Sequence, residues 1–432
     1  MPVLAVVGAQ WGDEGKGRVV DWLAADADVV VRYQGGDNAG HTVVHGGQVH
    51  KLHMVPSGIF RREVQNIIGA GCAVNPWALR DELEALSSRD VDVGNLWIDE
   101  RAHLVMPWHL QLDGIEEDTR AGADQIGTTR RGIGPCYTDK AARRGLRAGD
   151  LLRPDLLRER VQAAARWHDI TLGHFGRPAI DVEATLRLCA EAAASLGHRI
   201  VDTTAQLEVA LDLDRTVLLE GQLGVMRDLD WGIYPFVTSS HPTAAFAPAG
   251  AGLGAITLDD AIGVCKAYAT SVGGGPFPTE LLDETGAKLR SVGAEFGATT
   301  GRPRRCGWLD VVALRYAARR NGLTRLIVTK LDVLDDFAEI AVADGYHLDG
   351  RVVERLPTTA DQARCQPRYR TFEGWRVATT AARSWSALPA AAQRYVRAIE
   401  SLGGVPVSHV SVGAERDAIL AVPPTAAGQD AP

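Results

Sequence analysis

Apolar residues fill Val3 to Val7 without interruption and stop at Gly8, the pattern of a central parallel strand covered on both faces. A glycine-rich turn follows, and from Arg18 to Ala27 the apolar positions (Val19, Val20, Leu23, Ala24, Ala27) recur at helical spacing. Asp28 to Tyr33 reads as a second strand, so the chain opens with a βαβ unit whose crossover is expected to be right-handed. Further buried strands are predicted over Asn66–Gly69, Thr216–Glu220 and Arg325–Lys330. Helices are predicted over Pro154–Ala165, Ile180–Leu196, Leu258–Ala269 and Pro389–Leu402. This alternation predicts an α/β fold: a large, mostly parallel central sheet flanked by helices, with a P-loop-like first turn and inserted subdomains. One unit is expected over residues 1–422. Within it, residues 101–205 form a mostly helical, ligand-contacting subdomain whose first part is rich in Gly, Arg and Asp. The apolar-poor tail 423–432 is expected to be disordered.

The 432 residues exceed the size at which a single core stops growing, consistent with a core plus subdomains. A net charge of −8 argues against a nucleic-acid groove, while a locally basic pocket for small anions remains compatible with it. The six cysteines form no C-x-x-C pair, so neither a zinc site nor a disulfide framework is expected, and a reduced cytoplasm is. The apolar run at the N-terminus is too short for a membrane span and lacks the basic flank of a signal peptide.

Two glycine loops carry the candidate chemistry. Gly8 to Gly17 (Gly-Ala-Gln-Trp-Gly-Asp-Glu-Gly-Lys-Gly) lies between a strand and a helix, where backbone N–H groups and the helix N-terminus attract phosphate oxygens and Lys16 adds a point charge. It departs from a Walker A loop: Gly17 stands where a magnesium-binding hydroxyl belongs, leaving Asp13 as the candidate metal ligand. Gln34 to Thr42 follows the second strand. Loops after parallel strands converge on one sheet edge, so Asp13 and His41 should face one crevice, as a base and an acid acting on one substrate would. A tight turn with solvated charges would use similar glycines, and most of the twelve histidines are expected to be structural; only His41 has such loops around it.

These strings resemble the adenylosuccinate synthetase family. The likeness runs through Gln10–Gly17, Asn38–Thr42, Ile126–Thr129, Arg131–Pro135, Lys140–Gly145, Gly275–Glu280, Gly297–Arg302 and Thr329–Asp332, in the family's order. The resemblance implies a two-step reaction: GTP phosphorylates O6 of IMP, and the amino group of aspartate then displaces that phosphate from C6. It implies Asp13 as base and His41 as acid. Mg²⁺ would be held by Asp13 and the Gly40 carbonyl. Gly12, Gly15, Lys16, Gly17 and Thr42 would take the GTP phosphates, with Lys330, Asp332, Ser411 and Gly413 at guanine. Asn38, Thr129 and Thr238 would hold the IMP phosphate, joined by Arg143 from the other subunit of a homodimer, with Asp13 and Arg302 also on IMP. Thr299, Thr300, Arg302 and Arg304 would clamp aspartate.

The chain departs from the family around the acceptor. Leu223 stands where a Gln contacts the IMP base, and Gln222 comes one place earlier. Arg227 stands in place of a Leu, and Ser271 in place of an Arg before the Val-Gly of the ribose loop. His241 and Pro242 replace Asn and Thr, Arg130 replaces a Gly, and Arg18 replaces a Lys. Two readings stay open: drift in an IMP enzyme, or a paralogue acting on a purine-analogue nucleotide. Asp13 is retained, which argues against a family variant that aminates a guanine nucleotide with a smaller residue there. A GTP-binding pseudoenzyme or a simple kinase would have no use for Arg302 and Arg304 beside Asp13 and His41.

Overall fold

The computed structural model describes residues 2–120, 125–297 and 301–425. Ten of its strands form the central sheet. In chain order they are β1 (Val3–Gly8), β2 (Val29–Arg32), β3 (Gln65–Ile68), β4 (Leu96–Asp99), β5 (Ile200–Val201), β6 (Val217–Gly224), β7 (Asp260–Lys266), β8 (Arg325–Thr329), β9 (Val407–Ser411) and β10 (Ile419–Ala421). Across the sheet they run β10-β9-β8-β7-β1-β6-β2-β3-β4-β5. Neighbours are parallel except β9 and β10. β1 is central, with Ala5, Val6 and Val7 fully buried, as its unbroken apolar run predicts.

The predicted βαβ opening is present, with helix α1 over Lys16–Leu23. The helix expected over Leu258–Ala269 is not. Those residues form β7, which pairs with β1 on one side and β8 on the other. A strand covered on both faces is apolar at nearly every position, so periodicity does not separate it from a buried helix. Gly263 in its middle favoured the strand. The helix expected to end at Ala165 continues to His174. His41 and Thr42 are not loop residues but open a hairpin, His41–His45 with Gln48–Leu52.

Between residues 107 and 196 the described chain is mainly helical, with Pro107–Thr119, Ile133–Ala141, Pro154–His174 and Val182–Leu196. The last two helices share the sheet's core: Leu157, Val161, Cys189 and Leu196 pack in one cluster with Ile68, Leu96 and Ile98, while Ile133 and Cys136 pack with Ala73 and Val105 in a small cluster of their own. Of the tail expected to be disordered, Pro423 and Thr425 hydrogen-bond to Arg397 and Glu400, and 426–432 lie outside the described residues. No helix among the described residues is long and apolar enough to cross a membrane.

Candidate active site

The carboxyl ends of β1, β2, β6, β8 and β9 open on one edge of the sheet, where open α/β sheets take their ligands. The turn after β1 is organised by Glu14, which is fully buried. Its carboxylate accepts from the backbone N–H of Gln10 (3.1 Å) and of Gly12 (2.9 Å) and pairs with the Lys16 ammonium. Thr329 Oγ1 at the end of β8 donates to the Glu14 carbonyl at 2.6 Å, tying this turn to the neighbouring strand end. Gly15 caps α1 at φ 90°. Asp13 projects from the same turn at φ 59° and pairs with Arg304 at 3.0 Å.

His41 lies against the start of α1. A Cβ on Gly17 would sit 2.5 Å from the His41 Cβ, so the glycine is required by the imidazole and not only by phosphate approach. His41 Nδ1 is 2.5 Å from Glu220 Oε1, and Glu220 also accepts from Ser57 N (2.8 Å) and Oγ (2.6 Å). Burial holds the imidazole below its ordinary range, with Glu220 opposing. Burial alone would raise the Glu220 carboxyl, but the hydrogen bond and charge of His41, the charge of Arg32 and the Ser57 hydrogen bond outweigh it and keep it low. An ionised Glu220 therefore fixes the proton on Nδ1 and turns Nε2 away from itself. Sequence reasoning missed Glu220; its one signal was an acidic residue closing an apolar strand run.

Beside this pair lies a cavity of about 280 Å³. It joins Trp11 and Asp13 of the first turn to Asn38, Ala39 and Gly40 of the second, and faces Thr128 and Thr129, the 236–239 segment, Leu223 and Arg227. Six of the predicted residues thus share one wall or its opposite: Asp13, Asn38, Gly40, Thr129, Leu223 and Thr238. His41 is only 7% exposed and sits behind Gly40, outside that lining.

The departures in sequence separate into two groups here. His241 contacts Asp228 at 3.3 Å and the Pro242 carbonyl accepts from Tyr33 Oη at 2.6 Å, so both support the cavity's back and neither lines it. Leu223 and Arg227 do line it. Gln222 is fully buried and turned the other way. Its amide accepts from Gly36 N (3.0 Å) and donates to Gly36 O (2.9 Å) and Asn38 Oδ1 (3.3 Å). A Cβ on Gly35 would fall 1.5 Å from its Oε1, which shows how closely the amide presses on that loop. The one-residue shift has moved a polar side chain to the opposite face.

At the far end, Lys330 (φ 58°) donates to the Gly293 carbonyl and to Glu295, both at 2.7 Å. Burial raises the Asp332 carboxyl, with Lys330 and Arg18 opposing. Arg18 donates to Ser411 Oγ at 2.5 Å and to the carbonyls of Gly413 and Glu415, so it holds the loop after β9 against α1. Thr42 is exposed on its hairpin.

Of the predicted aspartate clamp, Thr299 and Thr300 lie outside the described residues. Arg304 is buried between Asp13 and Glu295, whereas Arg302 is exposed. Glu295, which sequence reasoning also missed, is fully buried and binds Lys266 (2.8 Å), Lys330 (2.7 Å) and Arg304 (2.6 Å) at once. Burial would raise its carboxyl, but these three cations drive it far down. It joins the strand end carrying Lys330 to the turn carrying Arg304. Arg143 follows the helix Ile133–Ala141 at φ 63° and does not line the cavity.

Among the described residues one His/Asp group is close enough to hold a metal, His109, Asp139 and His168. Its protons argue otherwise. The backbone N–H of Met106 donates to His109 Nδ1 at 2.9 Å, so Nε2 carries the proton and donates to Asp139 at 2.9 Å. His168 (2.8 Å) and Arg144 (2.6 Å) donate to the same carboxylate. The network pins the end of the helix that precedes Arg143.

Comparison with known proteins supplies the context for this geometry. The sequence profile of the family described as adenylosuccinate synthetase matches residues 5–420. Adenylosuccinate synthetase of Carboxydothermus hydrogenoformans is 48% identical over 96% of this chain and 98% of its own. That of Frankia alni is 47% identical over 98% and 99%. The solved structure of fully ligated adenylosuccinate synthetase from Plasmodium falciparum superposes with a TM-score of 0.93 at 34% identity, covering 98% of this chain and all of that one. A succinoaminodeoxyadenylate synthetase from cyanophage S-2L, at 20% identity and TM-score 0.62 over 98% of this chain and 96% of that one, shares the fold.

Proposed function

The chain belongs to the adenylosuccinate synthetase family, and from that premise we propose how its residues perform the family's C–N bond formation. The reaction joins L-aspartate to C6 of IMP at the expense of GTP, releasing GDP and phosphate. The observation that carries the assignment of roles is the single cavity between Asp13 and Gly40 on one side and Thr129, Leu223 and Thr238 on the other, directly beside the glycine turn that leads into α1.

The oxygen on C6 leaves poorly until it carries a phosphoryl group. Asp13 takes the proton from N1, which places charge on O6 for attack on the γ-phosphate of GTP. His41 donates from Nε2 to the oxygen between C6 and phosphorus as charge develops there. That donation requires the imidazolium, and Glu220 at Nδ1 supplies its counter-charge. Gly12, Gly15, Lys16, Gly17 and Thr42 hold the nucleotide phosphates. When phosphate binds, Lys16 exchanges part of its contact with Glu14. Asn38, Thr129 and Thr238 hold the IMP phosphate, and Arg143 reaches it from the partner of a homodimer. Arg304, with Arg302, Thr299 and Thr300, orients aspartate, and a substrate carboxylate takes over from Asp13 as the partner of Arg304. Asp332 accepts from N1–H and the 2-amino group of guanine, and Lys330, Ser411 and Gly413 complete that pocket.

The donor set suits magnesium. The Asp13 carboxylate and the Gly40 carbonyl are hard oxygens on one cavity wall, next to the phosphate turn. Bound there, Mg²⁺ would neutralise phosphate charge. The six cysteines are free thiols, in keeping with a cytoplasmic location.

The test is product identification by mass with GTP, Mg²⁺, IMP and aspartate. Adenylosuccinate is expected, with GDP formed only when aspartate and IMP are both present. GDP release with IMP alone would make the protein a kinase, and no GDP release with any 6-oxopurine monophosphate would remove the proposal.

A further inference from the structure

Arg227 is a buried cation at the cavity wall that makes no ion pair with a carboxylate among the described residues. It closes the short turn after β6 and is 7% exposed. Its Nη1 donates to the carbonyls of Phe236 (2.5 Å) and Gly274 (3.3 Å). Its Nη2 donates to Ser271 Oγ (2.7 Å) and the Val272 carbonyl (2.5 Å). These acceptors belong to two separate segments, and Phe236, Val272 and Arg227 all line the cavity. The opposite side of the 271–275 loop is held by Arg305, which donates to the carbonyl of Gly275 at 2.8 Å. Arg305 is neutralised by Glu280; Arg227 is hydrogen-bonded only to dipoles, and Asp13 acts on it through the cavity without an ion pair. Burial lowers its pKa to about 10, with Arg305 adding to the effect and Asp13 opposing it, so the guanidinium still carries its charge at neutral pH.

Buried charges are usually paired, because an unpaired one loses solvation that dipoles only partly return. A guanidinium in that position is well placed to interact with an anion entering the cavity. Arg227 and Ser271 also occupy the two positions where the family resemblance leads one to expect a Leu and an Arg. In this chain the guanidinium of the pair is carried by position 227, and Ser271 is its acceptor.

Resting on the reading that IMP occupies this cavity, we propose that Arg227 is a positioning and specificity residue for the acceptor nucleotide. Its fork locks the 271–275 loop to the 236–239 segment, and its charge, held without a hydrogen-bonded carboxylate, raises affinity for the acceptor's monophosphate. Arg227 and Ser271 act as one transposed pair.

The full-length protein is assayed with GTP, Mg²⁺, aspartate and IMP, and binding of IMP and of GTP is measured separately by calorimetry. Arg227→Leu is expected to raise KM and Kd for IMP about ten- to a hundredfold, the value of hydrogen bonds to a charged group. The Kd for GTP should stay within about twofold, which also reports that the variant is folded. Ser271→Arg alone places two guanidiniums together and should weaken IMP binding as well. R227L/S271R together should recover IMP affinity to within about threefold of the parent, since the contact is restored with its ends exchanged. If R227L does not fold, Arg227→Lys carries the test: it keeps the charge, loses the fork, and should raise KM for IMP several-fold.

Unchanged IMP affinity in R227L or R227K, equal losses for IMP and GTP, or a double variant no better than its parents would each overturn the proposal. An unmodified protein that makes no adenylosuccinate would instead overturn the functional reading on which it rests.

Discussion

The two halves of this site are built differently. On the phosphate side, position is set by backbone and by buried carboxylates. Glu14 holds the first turn and Lys16, Glu220 holds His41, and Glu295 gathers Lys266, Lys330 and Arg304. On the acceptor side, a leucine faces the cavity, a glutamine faces away from it, and a guanidinium hydrogen-bonded only to dipoles ties two loops together. The first half is a frame of paired charges, and it keeps the motifs that the resemblance rests on. The second is where the chain departs from them. Chemistry common to a family can be fixed in the frame while the fit to the acceptor is renegotiated across the cavity.

The largest effects should come from the frame. Asp13→Asn and His41→Ala should each lower kcat by about a thousandfold or more with little change in thermal unfolding, as expected when a proton-transfer group is removed. If kcat in either variant stays near the parent's, the assigned base or acid is wrong. Glu220→Gln should follow, lowering kcat by about a hundredfold while keeping the side chain's shape. It should also move the pH profile. Burial already holds His41 low, and Glu220 is the group that raises it, so removing that charge lowers the imidazole pKa further. The form able to donate from Nε2 disappears as pH rises through that pKa. The high-pH limb of the kcat profile should therefore shift toward acid in the variant. A limb that does not move would separate Glu220 from His41's protonation and leave it a structural role.

Much of this frame was legible in the sequence and part was not, for physical reasons. Asp13, Lys16 and Gly40 stand in glycine-rich turns, where the demand for close backbone approach leaves a compositional trace. Glu220 and Glu295 leave little: Glu220 shows only as an acid closing an apolar strand run and Glu295 as a single acid, and the role of each depends on partners elsewhere in the chain, at His41 and at Lys266, Lys330 and Arg304. The sheet was readable where a strand was short and bounded by turns, as at Val3–Gly8. It was misread at Leu258–Ala269, where apolar residues on either side of the strand Asp260–Lys266 stretch the pattern to helical length. The significance of Arg227 was visible only as a substitution; that it faces Ser271 required coordinates.

Asp332 tests the far end of the frame. Asp332→Asn should raise KM for GTP about ten- to a hundredfold, because guanine's two donors lose a charged acceptor, while KM for IMP stays near the parent's. Glu295→Gln is the coupled counterpart. It leaves Lys330 and Arg304 without their shared carboxylate, so KM for GTP and for aspartate should rise together. A rise in only one would show that Glu295 supports that site alone.

The smallest expected effect sits on the acceptor side and is the most informative about drift. Leu223 lines the cavity at φ 62°, a conformation in which a side chain of either type carries the same backbone strain. Gln222 cannot serve the base in its place, because turning its amide into the cavity would leave the buried Gly36 N–H unpaired. Leu223→Gln therefore adds a base-edge hydrogen bond without taking one from the loop. A neutral hydrogen bond contributes about 0.5–1.5 kcal/mol net, so KM for IMP should fall by about two- to tenfold with kcat unchanged. If KM rises instead, the cavity has been reshaped around the leucine. Repeating the substitution in the R227L/S271R background then locates the cause. A gain that appears only there makes Leu223, Arg227 and Ser271 one coupled adaptation, whereas a loss in both backgrounds places the leucine's fit outside that pair.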